Sequence, residues 1–553
     1  MAPAVTDSWG LRDVPAELTA RYRADGSWRD ETLGQLLAGA ISERPELTMK
    51  IRSSLRPWSG TFGDVFDRAR RLAAALQQHG IGAGDVVAFQ LPNWVEAAVT
   101  FWAAALVGAV VTPIVHFYGP KEVGYILRRT SVRALVTAER FGHQDYLASL
   151  DELRKDAPEL ELIAVVGDRP VPAWAVPFDS LLGHDHLAEP VAVDATAPAL
   201  VAYTSGTTAD PKGVVHSHRT IGFEIRQLSG MQSGNPPLLV GAPVGHGIGM
   251  LSGLLLPVWK REPIHLIDVW DPGTVLAAMV EDHVASGSGA TYFLTSLLDH
   301  PDCGPEQLKL MSRIGLGGSP VPSAVTERMA SLGISAVRSY GSTEHPSTTG
   351  SRHEEPQDKR HYTDGHPLQG VELRLVDEDG HEVPAGARGE ILSRGPDCCI
   401  GYTEPTLTAQ SFDADGWFAT GDVGVLDEDG YLTIVDRKKD IIIRGGENIS
   451  ALEVEEVLLR IPGVAEAAVV AAPDARLGEH ACAFLRLLPG AEPVELPAVR
   501  AHFEQAGVAR QKWPEDLRTV PELPRTPSGK VKKFVLRQEL SHEAREEPGG
   551  PGH

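Results

Sequence analysis

Cysteine is scarce in this chain: Cys303, Cys398, Cys399 and Cys482 are the only four in 553 residues. None has metal-ligand spacing, and the adjacent pair Cys398–Cys399 is no disulfide framework. A cystine-stapled secreted fold and a zinc module are therefore set aside, and a reduced, cytoplasmic setting is expected. Basic charge is also short. Lys plus Arg number 51 against 74 Asp plus Glu, for a net charge of −23. That balance argues against general binding to nucleic acid or to an anionic membrane. The local cluster Lys530, Lys532 and Lys533 is accordingly read as a site feature. The first ten residues, M-A-P-A-V-T-D-S-W-G, lack the basic-then-apolar order of a signal peptide. No long apolar run goes uninterrupted. The most membrane-like window, residues 98–115, is broken by Gly108 and Pro113. It is read as a buried helix over 95–107 feeding a buried strand over 109–115.

What remains is the composition of a globular protein, 42% hydrophobic and 23% charged. The length exceeds one ordinary core and implies two or more domains. From about residue 34 helical and strand patterns alternate. Residues 64–78 place Val65, Phe66, Ala69, Leu72, Ala73 and Leu76 at helical spacing, with Asp64 as the expected N-cap. Strands are expected at 86–90, 133–137 and 160–166. The alternation predicts an α/β fold with a largely parallel sheet covered by helices. Ligands on such sheets sit at the C-terminal ends of strands.

One such end is rich in the chemistry of phosphate binding. After the apolar run 199–202 the chain reads Y-T-S-G-T-T-A-D-P-K-G. Thr204, Ser205, Gly206, Thr207, Thr208 and Lys212 supply hydroxyls, a close backbone approach and a point charge. The Gly-Lys-Ser/Thr order of a Walker loop is absent. Further glycine-rich motifs follow in order: G-A-P-V-G-H-G-I-G-M (241–250), I-G-L-G-G-S-P (314–320), S-Y-G-S-T-E-H (339–345), W-F-A-T-G-D (417–422), D-R-K-K-D-I-I-I-R-G-G-E-N-I-S (436–450) and P-R-T-P-S-G-K-V-K-K (524–533). Tyr340 suits stacking on a purine, Thr343 a phosphate, and Glu344 the hard-oxygen preference of Mg²⁺. Asp422, read as held by a turn, is an acceptor-only carboxylate fit for a ribose diol. Asp427-Glu428-Asp429-Gly430 is read as a hairpin turn.

This ordered set resembles the acyl-adenylate-forming superfamily, which includes acyl-CoA synthetases, aryl-acid adenylating enzymes, peptide-synthetase adenylation domains and firefly luciferase. The resemblance runs from about residue 30 to about 540. It implies a large N-terminal α/β domain, residues 1–435, and a small mobile α+β C-terminal domain, residues 441–541. Between them 436–440 would act as a hinge, and 542–553 would form a disordered tail. It implies ATP, Mg²⁺ and coenzyme A as cofactors and co-substrate. The nucleotide would contact the 204–208 loop and Lys212, Gly317, Gly318 and Ser319, then Tyr340, Gly341, Ser342 and Thr343, and finally Asp422, Ile434 and Arg437. Glu344 and Thr204 would hold the metal. His246 would border the acyl pocket near the carboxylate. Gly247 stands where aryl-acid enzymes carry an Asn, which leaves room for an apolar acid. Lys439 would be the pivot, and Gly445, Gly446 and Glu447 would line the thiol tunnel after rotation. Lys530, displayed on a loop stiffened by two prolines, would be the adenylation lysine. Ala209 departs from the family's usual glycine.

The implied reaction joins a carboxylic acid to AMP and then to the thiol of coenzyme A, as in ligases for short, medium or alicyclic acids such as cyclohexanecarboxylate. The alternative acceptor is the phosphopantetheine of a carrier protein, since residues 21–36 also resemble aryl-acid adenylating enzymes. A non-catalytic nucleotide-binding protein is a weaker alternative, because Lys530, Glu344, Asp422 and Arg437 are all present. In the small domain, Ser450 to Glu453 read as a capping box opening a helix to about 460, followed by strands at 464–472 and 481–488.

Overall fold

The computed structural model describes residues 5–183, 185–204, 211–231, 236–474, 476–526 and 529–546. Its largest sheet has eight strands, in the order Gly401–Tyr402, Lys212–Ser217, Pro198–Thr204, Val110–Ile114, Val86–Gln90, Ala134–Ala138, Leu162–Val166 and Val176–Pro177. The six from Pro198–Thr204 onward run parallel, and the first two pair antiparallel. Four of the parallel strands, from Val110–Ile114 to Leu162–Val166, are buried at every position. This is why they read as continuous apolar runs without alternation.

The membrane-like window resolves as expected. Helix Val95–Leu106 is buried along all twelve residues and returns through Gly108 into strand Val110–Ile114. Gly108 takes φ +72, and a Cβ there would stand 2.6 Å from Val193 Cγ1. Among the described residues, no helix is long and apolar enough to cross a membrane.

Two expected boundaries are corrected. The helix expected from Asp64 starts earlier, as Phe62–Gln78, and its N-cap is Thr61. Thr61 Oγ1 accepts from Asp64 N at 3.2 Å and Asp64 Oδ2 accepts from Thr61 N at 2.8 Å. Asp64 thus closes a capping box from the third helical position, where its short side chain reaches back to the cap. At the other end, helix Lys533–Glu546 runs on through residues read as tail.

Among the described residues the large domain has three more sheets of four strands, besides a small hairpin of Arg140–Phe141 and Gln144–Asp145. One places Leu239–Val240, Ile264–Ile267, Thr48–Arg52 and Trp58–Thr61 side by side, and a second carries Arg313–Leu316 beside Ser335–Tyr340. The third is an antiparallel meander of Glu372–Val376, Arg388–Arg394, Phe418–Leu426 and Leu432–Arg437. The turn at Asp427 is the expected hairpin, with Asp427 Oδ1 accepting from Asp429 N and Tyr431 N.

The small domain is built on long paired strands, Val464–Asp474 and Gly478–Leu487, flanked by Ile442–Arg444, Glu447–Ile449 and Asp516–Thr519. Helix Ala451–Leu458 packs on them. Ser450 Oγ caps it by accepting from Glu453 N, but the box is half-made, because the Glu453 carboxylate turns to Lys512 Nζ at 2.6 Å.

Three strand ends of the large domain meet at one side chain. Buried Asn93 donates through Nδ2 to Ala242 O (3.1 Å) and Ile267 O (2.9 Å), and its Oδ1 accepts from Val244 N (2.8 Å). This fixes the 241–250 turn against the main sheet. Asn93→Ala leaves three buried backbone groups unpaired, each costing about 1–3 kcal/mol. The expected result is a loss of about 2–4 kcal/mol in stability, read as a lowered thermal midpoint. An unchanged midpoint would show that the turn is held by other contacts.

Candidate active site

A cavity of about 230 Å³ opens where these sheets converge. Its wall takes residues from four of the motifs: His246, Gly247 and Ile248; Gly317 and Gly318; Tyr340, Gly341, Ser342 and Thr343; and Lys530 from the small domain; Ser347 lines it as well. Close backbone approach explains the glycines. A Cβ on Gly341 would lie 1.9 Å from Pro346 O, and one on Gly317 would lie 2.5 Å from Ser339 Oγ. Gly318 takes φ +74. Gly247 differs, since a Cβ there meets nothing within 4 Å. Its missing side chain leaves real space in the cavity.

Thr204 ends its strand, and Lys212 is not in the loop but opens the antiparallel partner, paired with Thr204. Ser205, Gly206, Thr207 and Thr208 lie outside the described residues. Ser319 does not line the cavity. Asp422 is not held by a turn but sits within strand Phe418–Leu426, opposite Arg437. Gly421, at φ +73, sits where the strand slips its register, and such a bulge re-aims the following side chain. Asp422 is 4% exposed, accepts from Tyr340 Oη at 2.7 Å and pairs with Arg437 Nε at 3.0 Å. Burial nevertheless pushes its pKa above the usual value, against the pull of Arg437. Ile434 N donates to Asp364 Oδ2 at 2.9 Å, which ties the same strand to the Arg338–Asp364 ion pair.

Glu344 is half-buried, and its Oε1 accepts from Tyr402 Oη at 2.9 Å. Cys399 N donates to its main-chain oxygen at 2.7 Å. A steadied, acceptor-only carboxylate suits a hard cation such as Mg²⁺. Thr343 O accepts from His216 Nε2 at 2.8 Å. His246 Nδ1 is buried without a partner, and burial followed by the nearby Lys530 charge pushes its pKa down to about 3. The ring is thus held in its neutral form, in which one of its nitrogens can still donate a hydrogen bond.

Lys530 reaches the cavity on a short loop. Thr526 N donates to Lys530 O at 2.8 Å and Lys530 N to Thr526 Oγ1 at 3.1 Å. Gly529, at φ +87, packs so closely on the large domain that a Cβ would lie 3.3 Å from those of Ala290 and Tyr292. Burial pushes Lys530 down to about 8; Arg437 and Lys439 add to the fall, while Glu344 and Asp422 oppose it. The basic cluster is not one site, because Lys533 pairs with buried Glu455 at 2.7 Å inside the small domain. Lys439 lies in the short 3₁₀ turn Lys438–Asp440 between strands. Gly445 and Gly446 form the two-residue turn of a hairpin, both at positive φ, and with Glu447 they lie outside the cavity.

Other residues at the site have no sequence signal. Tyr402, which steadies Glu344, is a lone tyrosine on a two-residue strand. His345, given no role by the sequence, is buried between Ser393 Oγ (2.9 Å) and Asp397 Oδ1 (3.2 Å). Burial works against its charge, yet Asp397 raises its pKa to about 9. Glu224 and Ser347 form a further buried bond of 2.7 Å in the wall of the cavity.

Comparison with known proteins agrees with this arrangement. Residues 47–403 match the model of the AMP-binding enzyme family, and residues 453–530 match the AMP-binding enzyme C-terminal domain. The chain is 33% identical over 526 residues to the medium-chain fatty-acid–CoA ligase of Escherichia coli K12, covering 94% of this chain and 92% of the relative. It is 36% identical over 533 residues to the 3-[(3aS,4S,7aS)-7a-methyl-1,5-dioxo-octahydro-1H-inden-4-yl]propanoyl:CoA ligase of Rhodococcus jostii RHA1, covering 92% and 98%. The structure of ATP-bound MatB from Rhodopseudomonas palustris superposes with a TM-score of 0.81 at 26% identity, covering 92% of this chain and 98% of that one.

The electrostatics around Lys530 make a measurable prediction. By NMR of isotopically methylated lysines, one lysine titrates near pH 8, well below the ordinary 10.5, and its signal is absent in Lys530→Arg. Arg437→Gln moves that midpoint upward, because it removes a cation that opposes protonation. A Lys530 midpoint at the ordinary value would overturn this placement.

Proposed function

The chain belongs to the AMP-binding enzyme family, and from that premise we propose that it activates a carboxylic acid with ATP as an acyl-adenylate and then passes the acyl group to the thiol of coenzyme A. The observation that carries the reading is Lys530. It belongs to the small domain, yet it lies in the cavity that His246 and the 340–343 motif line, within the field of Glu344, Asp422 and Arg437.

In the first half-reaction a carboxylate oxygen attacks the α-phosphorus of ATP, a phosphorus–oxygen bond forms, and the bond to the bridging oxygen breaks to release pyrophosphate. Both partners are anions, so the protein must offset charge and hold them in line. Lys530 would donate to the acid's carboxylate and the bridging oxygen, His246 would bond the carboxylate as a neutral ring, and Lys212 would meet phosphate. Asp422 would accept from the ribose hydroxyls and Arg437 would contact ribose and phosphate. Glu344 and Thr204 would hold Mg²⁺, which when bound neutralises phosphate charge.

In the second half-reaction the thiol loses its proton, its sulfur attacks the acyl carbon, and the carbon–oxygen bond to AMP breaks. Lys530 occupies the approach, so the small domain (441–541) would rotate on the large one (1–435) about Lys439 in the hinge 436–440. That rotation would bring Gly445, Gly446 and Glu447 to the thiol. The docking contacts that now hold Lys530 in place suit a reversible joint. Glu456 accepts from Ser323 N and Oγ at the start of helix Ser323–Ser331, and Arg460 pairs with Glu327 at 3.2 Å. An ion pair as exposed as Arg460–Glu327 is worth about 0–1 kcal/mol.

The acids named for the two relatives, a medium-chain fatty acid and a ring-bearing propanoate, support an apolar chain or ring as substrate, and the open space at Gly247 agrees with that. The free thiols Cys303, Cys398, Cys399 and Cys482 support a cytoplasmic enzyme.

ATP–pyrophosphate exchange over a panel of linear, branched, alicyclic and aromatic acids tests the first half, and coenzyme A added with the best acid tests the second. Exchange without thioester formation would move the acceptor to a carrier-protein phosphopantetheine. Lys530→Ala is expected to lower exchange by about two orders of magnitude or more, as loss of a charge-stabilising donor does, while thioester formation from supplied acyl-adenylate is largely spared. Equal loss of both halves would refute that division. Lys439→Pro should keep exchange and slow thioester formation at least about tenfold, because the pivot needs free φ/ψ change. Full turnover in that variant would sink the rotation.

A further inference from the structure

Helix His218–Met231 lays Ile221, Glu224, Leu228 and Met231 along the cavity, spaced by three and four residues. Three are apolar and the fourth is an ionisable group. Glu224 is 0% exposed. One carboxyl oxygen accepts from Ser347 Oγ at 2.7 Å, and the other, Oε2, has only the Gln227 side chain beside it, whose Oε1 is itself unpartnered. Ser351, 4% exposed and also in the cavity wall, has an unpartnered Oγ. Burying such groups without partners costs about 1–3 kcal/mol each, a cost an apolar acid pocket has no need to carry.

Much of the remaining wall is apolar, with Leu238, Val240, Met250 and Trp270 among its residues, alongside His216, His353 and several serines. The cavity thus has two polar ends. Lys530 feels Arg437, Glu344, Asp422 and Lys439, whereas Glu224 feels Asp397 and His345. The carboxylate to be activated belongs with Lys530, so the second polar end needs another explanation.

We propose that the acid carries a second, uncharged oxygen, a keto or hydroxyl group remote from its carboxylate, and that Glu224 and Ser351 bind it. The inference rests on the adenylation reading. Burial first, then the Asp397 charge, pushes the Glu224 pKa up to about 8, so the carboxyl is largely neutral at neutral pH. A neutral carboxyl accepts through one oxygen, as it does from Ser347, and donates through the other, as a ligand carbonyl or hydroxyl requires. A second carboxylate on the acid would be disfavoured, because burying its charge beside Glu224 is costly without a cation to pair with it. The competing role is structural, with Glu224 merely bonding Ser347 and facing Gln227, whose Oε1 is also unpartnered.

Matched pairs of acids decide between them by ATP–pyrophosphate exchange: a keto-substituted cyclohexanecarboxylate against cyclohexanecarboxylate, and a terminally hydroxylated medium-chain acid against the plain chain. The wild type is expected to favour the oxygenated member of at least one pair by about tenfold or more in kcat/KM, since a site built to bond an oxygen discriminates against the analogue lacking it. Glu224→Leu is expected to abolish or invert that ratio, Glu224→Gln to retain most of it, and Ser351→Ala to lower it severalfold. The wild-type ratio and the milder serine variant keep the test decisive if Glu224→Leu fails to fold. A plain acid preferred or equal in both pairs, or a ratio unchanged in Glu224→Leu, overturns the proposal and leaves adenylation standing. Absence of exchange with every acid despite ATP binding overturns the adenylation reading itself, and this inference with it.

Discussion

The site depends on one awkward placement, an ammonium held in a cavity with no carboxylate within ion-pair distance among the described residues. Lys530 lies between two acids, Glu344 and Asp422, that favour its charge and two cations, Arg437 and Lys439, that oppose it. Each acid is already engaged, Asp422 by Arg437 and Tyr340, Glu344 by Tyr402. The lysine therefore has unspent donor capacity, and burial makes that capacity strong because little water competes for it. Any anion entering the cavity would gain it. A fully paired lysine would be a more stable ornament and a poorer catalyst, which is the sense in which active sites give up stability for function.

Holding that lysine in place falls to contacts that are individually weak. Gly529 packs on Ala290 and Tyr292, Arg525 stands over the Tyr292 ring at 5.2 Å, Lys438 pairs with Glu390, and Glu456 serves as a borrowed cap for helix Ser323–Ser331. Inside the small domain the bonding is of another kind. Lys533 and Glu455 are paired beside the core, and Arg525 and Arg486 both reach Glu466. Strong bonding within the unit and weak bonding across its face would let it move as one body in the proposed rotation while keeping the Lys530 loop intact. That contrast is what a rotating domain requires.

Much of this was legible in the sequence, and the reason is physical. A loop that approaches a ligand closely through its backbone must be contiguous and glycine-rich, so Gly317, Gly341 and the segment carrying Lys530 stand out, and Asp422 stands beside Gly421. The parallel sheet was legible because strands buried on both faces leave unbroken apolar runs. Other features depend on partners distant in the chain. Asp422 reads like a turn residue, and only the cross-strand register reveals the bulge at Gly421 that aims it. The cap at Thr61 is hard to tell from one at Asp64, because an aspartate reaching back from the third helical position leaves a similar sequence pattern. Glu224 is one polar residue in a helix with many, and nothing local says that its face is the buried one.

The same asymmetry separates recognition of the nucleotide from recognition of the acid. The nucleotide's groups are fixed, so the residues around them can be fixed in type and spacing. The acid end is built from side chains on a helix, two turns and a strand, and any of them can change while the frame stays whole. Here that end contains a buried carboxyl whose environment is itself polar: Ser347 bonds Glu224 and donates its main-chain N–H to Asp397, and Asp397 faces His345. A lone buried acid is readily exchanged for leucine with little loss, whereas one tied into a network of buried bonds is costly to replace. The network lies directly behind the 339–345 motif, so whatever occupies the Glu224 end bears on the backbone that presents Glu344. The proposed acid-binding end and the candidate metal site thus share one buried scaffold, and on that proposal a change of acid has to be accommodated without disturbing it.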